Sequence, residues 1–163
     1  VGKQRMNSRL DDFDCHILDM VQRNNLTTHR ELADHINLSV PAVARRLQKL
    51  RSDCVIAKDI SVLNPERVGN PLTLIVSVSI ENEAVEQLNA ITQRFLDCHQ
   101  VQQCYYVTGD TDFLLMLSVY DMEECQRLTR SLFLDSGNVK RFRTAVSMRR
   151  VKVSMAVTLP RTP

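Results

Sequence analysis

The chain has no tryptophan, only four glycines in 163 residues, and an aromatic share of 5%. Glycine this sparse argues against a Gly-rich phosphate cradle, and no Gly-x-Ser-x-Gly nucleophile elbow occurs, so two common catalytic signatures are missing. An excess of one charge is missing too: the net charge of +2 is too small to imply a polyanionic partner, and only local clustering can argue for one. No apolar run reaches about 18 residues, and the opening Val-Gly-Lys-Gln-Arg carries no apolar h-region. Neither a membrane span nor a signal peptide is expected, and the expected compartment is the cytoplasm. The cysteines at 15, 54, 98, 104 and 125 are odd in number and scattered, without a Cys-x-x-Cys pair, and the four histidines share no metal-ligand spacing. The cysteines read as small core hydrophobes in a reducing interior and the histidines as surface or capping groups, with no metal and no cofactor. What is present, 44% hydrophobic and 25% charged residues, suits one ordinary domain or two small ones.

The first half has helical period. Phe13, Ile17, Met20 and Val21 recur at helix spacing between Leu10 and about Arg23, behind Asp11, Asp12 and Asp14, whose carboxylates favour a helix N-terminus. Thr28-His-Arg-Glu31 has the form of a capping box, and Leu32, Ala33 and Ile36 supply the inner face of a short second helix. Asn37 can end it in the left-handed conformation, Ser39 can cap a third helix, and Pro41 falls in the first turn, where its missing N–H costs nothing. Val43, Leu47 and Leu50 form the buried stripe of that helix. Two short helices joined by about three residues behind a longer one fit a helix-turn-helix. Cys54-Val-Ile and residues 58–64 look extended, suiting a wing or linker strand, and Pro65, Gly69 and Pro71 mark a boundary.

The second half changes period. Residues 72, 74, 76, 78 and 80 are apolar while Ser77 and Ser79 face the other way, the two-residue repeat of a half-buried strand. Helical spacing returns from Glu83 to Leu96. Strands follow at Gln103–Thr108 and Phe113–Tyr120, then a helix opened by Asp121 and stopped at Gly137, a strand from Val139 to Met148, and one more through Val151, Val153, Met155, Val157 and Leu159. The order β-α-β-β-α-β predicts an α+β, ferredoxin-like sandwich with helices on one face of an antiparallel sheet. Leu114 and Met116 leave the third strand apolar on both sides, so the uncovered face is expected to meet another subunit. The resulting division is a flexible segment 1–9, a winged helix-turn-helix 10–57, a linker strand 58–70 and a ferredoxin-like domain 71–163.

This arrangement, with Leu10-Asp-Asp-Phe-Asp-Cys-His-Ile-Leu18 at the front, Glu31-Leu-Ala33, Leu38-Ser39, Arg46-Leu47, Leu63-Asn-Pro65 and Val107-Thr-Gly-Asp-Thr-Asp-Phe113, resembles the Lrp/AsnC (feast/famine) family of transcription regulators. The resemblance covers nearly all the chain. It implies a sequence-specific regulator of double-stranded DNA, modulated by a small effector, commonly an amino acid, and assembled as a homodimer that pairs into tetramers or octamers. The family usually has glycine where Asn37 and Cys54 stand; Asn tolerates a left-handed backbone, whereas Cys54 must either adopt it at a cost of roughly 1 kcal/mol or take another turn. Many leucine-responsive members carry an aromatic residue at the position of Ala145, so leucine is not assigned as the ligand.

In a helix-turn-helix, the early residues of the third helix, Ser39, Val40, Pro41, Ala42 and Ala44, are available to a major groove. Arg45 is the candidate for a base edge, with guanine the base considered, while Arg46, Lys49 and Arg51, late in the helix, are candidates for phosphates; Thr28, at the start of the second helix, joins them. Two such helices across a two-fold axis would read a pseudo-palindromic site with half-sites roughly 34 Å apart or a multiple of that. The Gly109-Asp-Thr-Asp112 turn is by its residues a hairpin loop. By the resemblance it lies at a subunit interface and helps bind the effector: loop amides would receive a carboxylate, and Asp110 or Asp112 an ammonium group. Thr108, Met122, Ala145, Val146 and Ser147 are further lining candidates on the same ground. The basic residues Lys140, Arg141, Arg143, Arg149, Arg150 and Lys152 are read first as solvated or subunit-interface charge, with DNA wrapped around a larger assembly as the alternative. Two rivals remain from other classes, a ligand-independent architectural DNA binder and a small dimeric α+β barrel enzyme; a footprint that moves with one metabolite separates the first, and His99 as the lone imidazole of the second half weighs against the other.

Overall fold

The computed structural model describes residues 10–159, so the segment 1–9 expected to be flexible lies outside the described residues. These residues form two compact units, one of residues 10–62 together with 153–159, the other of 63–152. The expected boundary near Pro71 therefore falls several residues earlier, and the last segment, assigned to the sheet domain from sequence, belongs with the helices.

The first unit is three helices: α1 (Asp12–Val21), α2 (His29–Ile36) and α3 (Val40–Ser52). Each start is capped by the residue next to it. The Asp11 carboxylate accepts from the Asp14 amide at 2.8 Å, the Thr28 hydroxyl from Glu31 at 3.2 Å, and the Ser39 hydroxyl from Ala42 at 3.4 Å, satisfying donors that no intrahelical carbonyl can reach. Ile17, Leu18, Leu32, Ala33, Ile36, Val43, Leu47 and Leu50 make one core. Asn37 ends α2 at φ 56°, in the left-handed region. Cys54 adopts the same region at φ 56°, so of the two alternatives the strained backbone is the one taken. The reason is a closed cap: the Cys54 amide donates to the Arg51 carbonyl at 3.0 Å and the Val55 amide to that of Leu50 at 2.9 Å, the pairing of a Schellman motif, with Val55 seated against the core. Replacing Cys54 by glycine relieves the Cβ strain and should raise thermal stability by up to about 1 kcal/mol, measured by calorimetric melting.

Two extended stretches differ from expectation. Among the described residues no strand ladder forms between Asp53 and Asn70, nor from Ser147 to Leu159: at the expected wing Cys54, Val55 and Ile56 close the cap of α3, and the expected linker strand and final strand have no partner strand. Alternation gives a strand its faces but not a neighbour to bond with. The final segment finds another acceptor: the Gln22 side chain donates to the Val157 carbonyl at 3.1 Å and accepts from its amide at 3.0 Å, imitating a strand edge, and Leu159 packs on the helical core.

The second unit has the expected order: β1 (Leu72–Ile80), α4 (Val85–Asp97), β2 (Val101–Tyr106), β3 (Phe113–Val119), α5 (Met122–Leu132) and β4 (Val139–Val146). The sheet is antiparallel in the order β2-β3-β1-β4, with β1 and β3 central. Leu74, Val76, Val78 and Ile80 of β1 and Phe113, Leu115, Leu117 and Val119 of β3 point to the helices and are buried with Ile91 and Phe95 of α4 and with Cys125 and Leu132 of α5. Phe95 meets the Phe113 ring edge-on at 5.3 Å between centroids. On the opposite face Ile75, Leu114, Met116 and Tyr105 are exposed apolar groups. Cys125 is buried, but Cys54 is exposed and Cys15, Cys98 and Cys104 are only partly covered, so the expectation of core cysteines holds fully at one position of the five.

Candidate DNA-reading helix and effector turn

Because Val43, Leu47 and Leu50 turn inward, the outward stripe of α3 runs through Pro41, Ala44, Arg45 and Gln48, with Ser39, Val40 and Lys49 exposed beside it and Ala42 and Ala44 half-buried. Arg45 and Lys49 make no ion pair among the described residues. Gln48 was not picked out by charge alone; helical spacing counted from Pro41 places it on the stripe. Its amide can both donate to and accept from a base edge.

The other expected phosphate contacts are engaged within the chain. Nη1 of Arg46 lies 2.8 Å from a carboxylate oxygen of Asp11 and 2.8 Å from one of Asp14, and its guanidinium carbon lies 5.4 Å from the Phe13 ring centroid. Arg46 is thus a bracket from α3 to the start of α1, and it is half-buried where Arg45 is open. Burial pushes the Asp11 carboxyl upward, but the Asp14 amide and the Arg46 guanidinium outweigh it and hold the group below its ordinary range. Arg51 bonds to Asp59 through Nε at 2.9 Å and Nη2 at 3.2 Å. That pair is exposed on both sides, and such pairs contribute little, so a phosphate can displace Asp59. Thr28 is closed on Glu31: its amide donates at 2.7 Å and its hydroxyl at 2.8 Å to one carboxylate oxygen, so a negative charge stands beside the hydroxyl.

In the second unit the turn 107–112 is pinned to the end of β1. The Asp112 amide donates to the Val78 carbonyl at 2.9 Å, the Thr111 hydroxyl donates to the same carbonyl at 2.7 Å, and a carboxylate oxygen of Asp112 accepts from the Ile80 amide at 2.8 Å. Asp112 is therefore a structural latch, and Asp110, exposed with only its carbonyl approached by Arg141 at 3.5 Å, is the carboxylate open to a ligand. Gly109 has φ 128°, a conformation other residues rarely adopt, and nothing within 4 Å of where a Cβ would be. Sequence reading gave Thr111 no role and read Arg141 as solvated or subunit-interface charge; a threonine inside a turn signals the first, and nothing short of strand register brings the second to the turn.

The effector candidates divide into two groups. Thr108, Gly109, Asp110 and Asp112 lie at the Val78–Ile80 end of β1, whereas Ala145 pairs with Ile75, Val146 with Leu74, and the Ser147 amide donates to the Thr73 carbonyl. At about 3.3 Å per residue these stations stand on the order of 16 Å apart along the strand. Met122 opens α5, just past the end of β3 where Val119 pairs with Leu72, and so belongs with the second group.

A three-helix head with an outward basic stripe, carried with a β-α-β-β-α-β ligand-binding sandwich, defines a class of regulators. Residues 10–51 match the AsnC-type helix-turn-helix domain and residues 73–157 the Lrp/AsnC ligand binding domain. This chain belongs to the Lrp/AsnC family of transcriptional regulators. It is 43% identical over 148 residues to an HTH-type transcriptional regulator of Sinorhizobium fredii, covering 91% of this chain and 88% of that protein. It is 32% identical to the leucine-responsive regulatory protein of Haemophilus influenzae, over 92% of this chain and 90% of that one. A transcriptional regulator from Neisseria meningitidis, solved in complex with L-Met, superposes with a TM-score of 0.86 at 25% identity, covering 92% of this chain and 97% of that one. No helix among the described residues is long and apolar enough to cross a membrane.

Proposed function

We propose that the protein controls transcription by setting α3 into the major groove of a pseudo-palindromic site as a homodimer or a higher oligomer, in the cytoplasm, under the control of an amino-acid effector. The observation that carries this is the segregation on α3: Val43, Leu47 and Leu50 are buried while Arg45, Gln48 and Lys49 are exposed on one side. Arg45 reads a base edge, Lys49 holds a phosphate, and Arg51 joins once Asp59 is displaced. One head offers few phosphate contacts, so two are needed for tight binding. Footprinting on duplexes that the protein itself selects from a random pool tests the reading: two protected half-sites about 34 Å apart support it, and protection without a two-fold pattern refutes it.

The effector role rests on the turn. Asp110 is free to meet an ammonium group, and the amides near Gly109 a carboxylate. Since the two groups of candidate residues stand far apart on one sheet, the site closes when the turn of one copy meets the Ala145 end of another. The exposed apolar face of Ile75, Leu114 and Met116 supports such an assembly. The role is binding and not catalysis; His99, the lone imidazole of the second half, is exposed and outside the turn.

A thermal-shift screen of the twenty amino acids identifies the effector, since a ligand at 100 times its dissociation constant adds about 2.7 kcal/mol of stability. With it in hand, Asp110→Ala should weaken effector binding by about tenfold or more, through loss of a charge-assisted bond, and leave the unliganded melting temperature unchanged. Asp112→Ala should lower that melting temperature, because it leaves the Ile80 amide unpaired at a cost of about 1–3 kcal/mol.

A further inference from the structure

The geometry points to Arg46 as a positioning residue for DNA reading, acting through Asp11 and Asp14 and not through a phosphate. The inference rests on the reading that α3 docks on DNA, and it assigns a role to the first turn of α1 that base-contact arguments leave out. One guanidinium nitrogen serves both carboxylates at 2.8 Å, and the Phe13 ring lies against the same group. Every other core contribution of α3 is aliphatic: Val43, Leu47 and Leu50 resist separation from α1 and α2 but supply no directional bond to resist rotation of the helix about its own axis. The Arg46 bonds are directional, and they sit on the residue next to Arg45. A rotation or slide that moves Arg45 off its base edge must stretch them, so the bracket fixes the pose of the reading side chain. Charge argues the same way. Arg46 with its two partners carries one negative charge in excess, and Asp12 lies beside them, so this cluster repels a phosphate instead of binding one.

The two roles predict opposite signs, which makes the test sharp. If Arg46 touched phosphate, neutralising Asp11 or Asp14 would free the arginine and tighten binding. For a positioning residue, the same substitutions loosen it. Asp11→Asn is the cleanest probe, because asparagine remains a good N-cap and only the charge pairing is lost. Binding of the full chain to its selected duplex is measured across a salt series for the unsubstituted protein, Lys49→Ala, Arg46→Gln, Asp11→Asn and Asp14→Asn, with far-UV dichroism confirming helix content. Lys49→Ala is the phosphate reference and should reduce the slope of log K against log salt by about one per bound helix. Arg46→Gln, Asp11→Asn and Asp14→Asn should each weaken specific binding by about threefold or more with the slope unchanged, and Arg46→Gln combined with Asp14→Asn should cost less than the product of the two. Tighter binding by Asp11→Asn or Asp14→Asn, or a slope reduced by Arg46→Gln as by Lys49→Ala, overturns the positioning role alone. A Lys49→Ala protein indistinguishable from the unsubstituted one overturns the docking of α3 itself, and the positioning role with it.

Discussion

Arg45→Ala should cost about 1–3 kcal/mol per recognition helix, or roughly ten- to a hundredfold in affinity for each half-site occupied, and should relax sequence preference at one base pair of that half-site. The side chain stands on the outward stripe of α3, exposed and without an ion pair among the described residues, so its removal disturbs no packing and leaves the melting temperature unchanged. That combination, a large binding loss with an intact fold, distinguishes a reading residue from its neighbour Arg46, whose loss touches both. Competition binding on duplexes carrying each base at each position measures it. Equal loss on matched and mismatched sites would move Arg45 from base edge to backbone.

A second large effect is expected in the sandwich. Phe113 is 1% exposed, opens β3, and meets Phe95 at 5.3 Å and Tyr106 at 5.1 Å between ring centroids. Phe113→Ala removes a ring from a closed core and should destabilise the second unit by about 3–5 kcal/mol, with a further contribution from the lost ring contacts. Because Asp112 and Thr111 immediately precede it, the loss should reach the effector turn as well. Calorimetric melting with and without the effector measures both consequences: a lower transition temperature, and a smaller ligand-induced shift. Phe113→Leu, which keeps most of the volume, should recover the larger part of the stability.

Much of this could be read from residues alone where a local rule governs. The acidic start of α1, the capping box at Thr28, the left-handed Asn37 and the buried stripe of α3 follow from contacts within four residues, and each appears where its spacing implies. The strand-helix order of the second unit followed from period, and the ferredoxin-like topology from that order. What could not be read depended on partners distant in sequence. Arg46 looks like any solvent-facing cation until α1 brings two carboxylates to it from more than thirty positions away. Asp110 and Asp112 are chemically equivalent in the sequence; only the arrival of the Ile80 amide separates the latch from the open acid. Alternation at Val151–Leu159 suggested a strand, because periodicity records which side is apolar and not whether an edge lies within reach.

The pairing of Gln22 with Val157, and the seating of Leu159 on the helical core, make the reading head a discontinuous piece of the polypeptide. Its three helices precede the ligand-binding sandwich in the chain, yet the contact that completes their surface follows it. The head is therefore complete only once the sandwich has been synthesised, and damage around Val157 is felt at Gln22, 135 positions back along the chain.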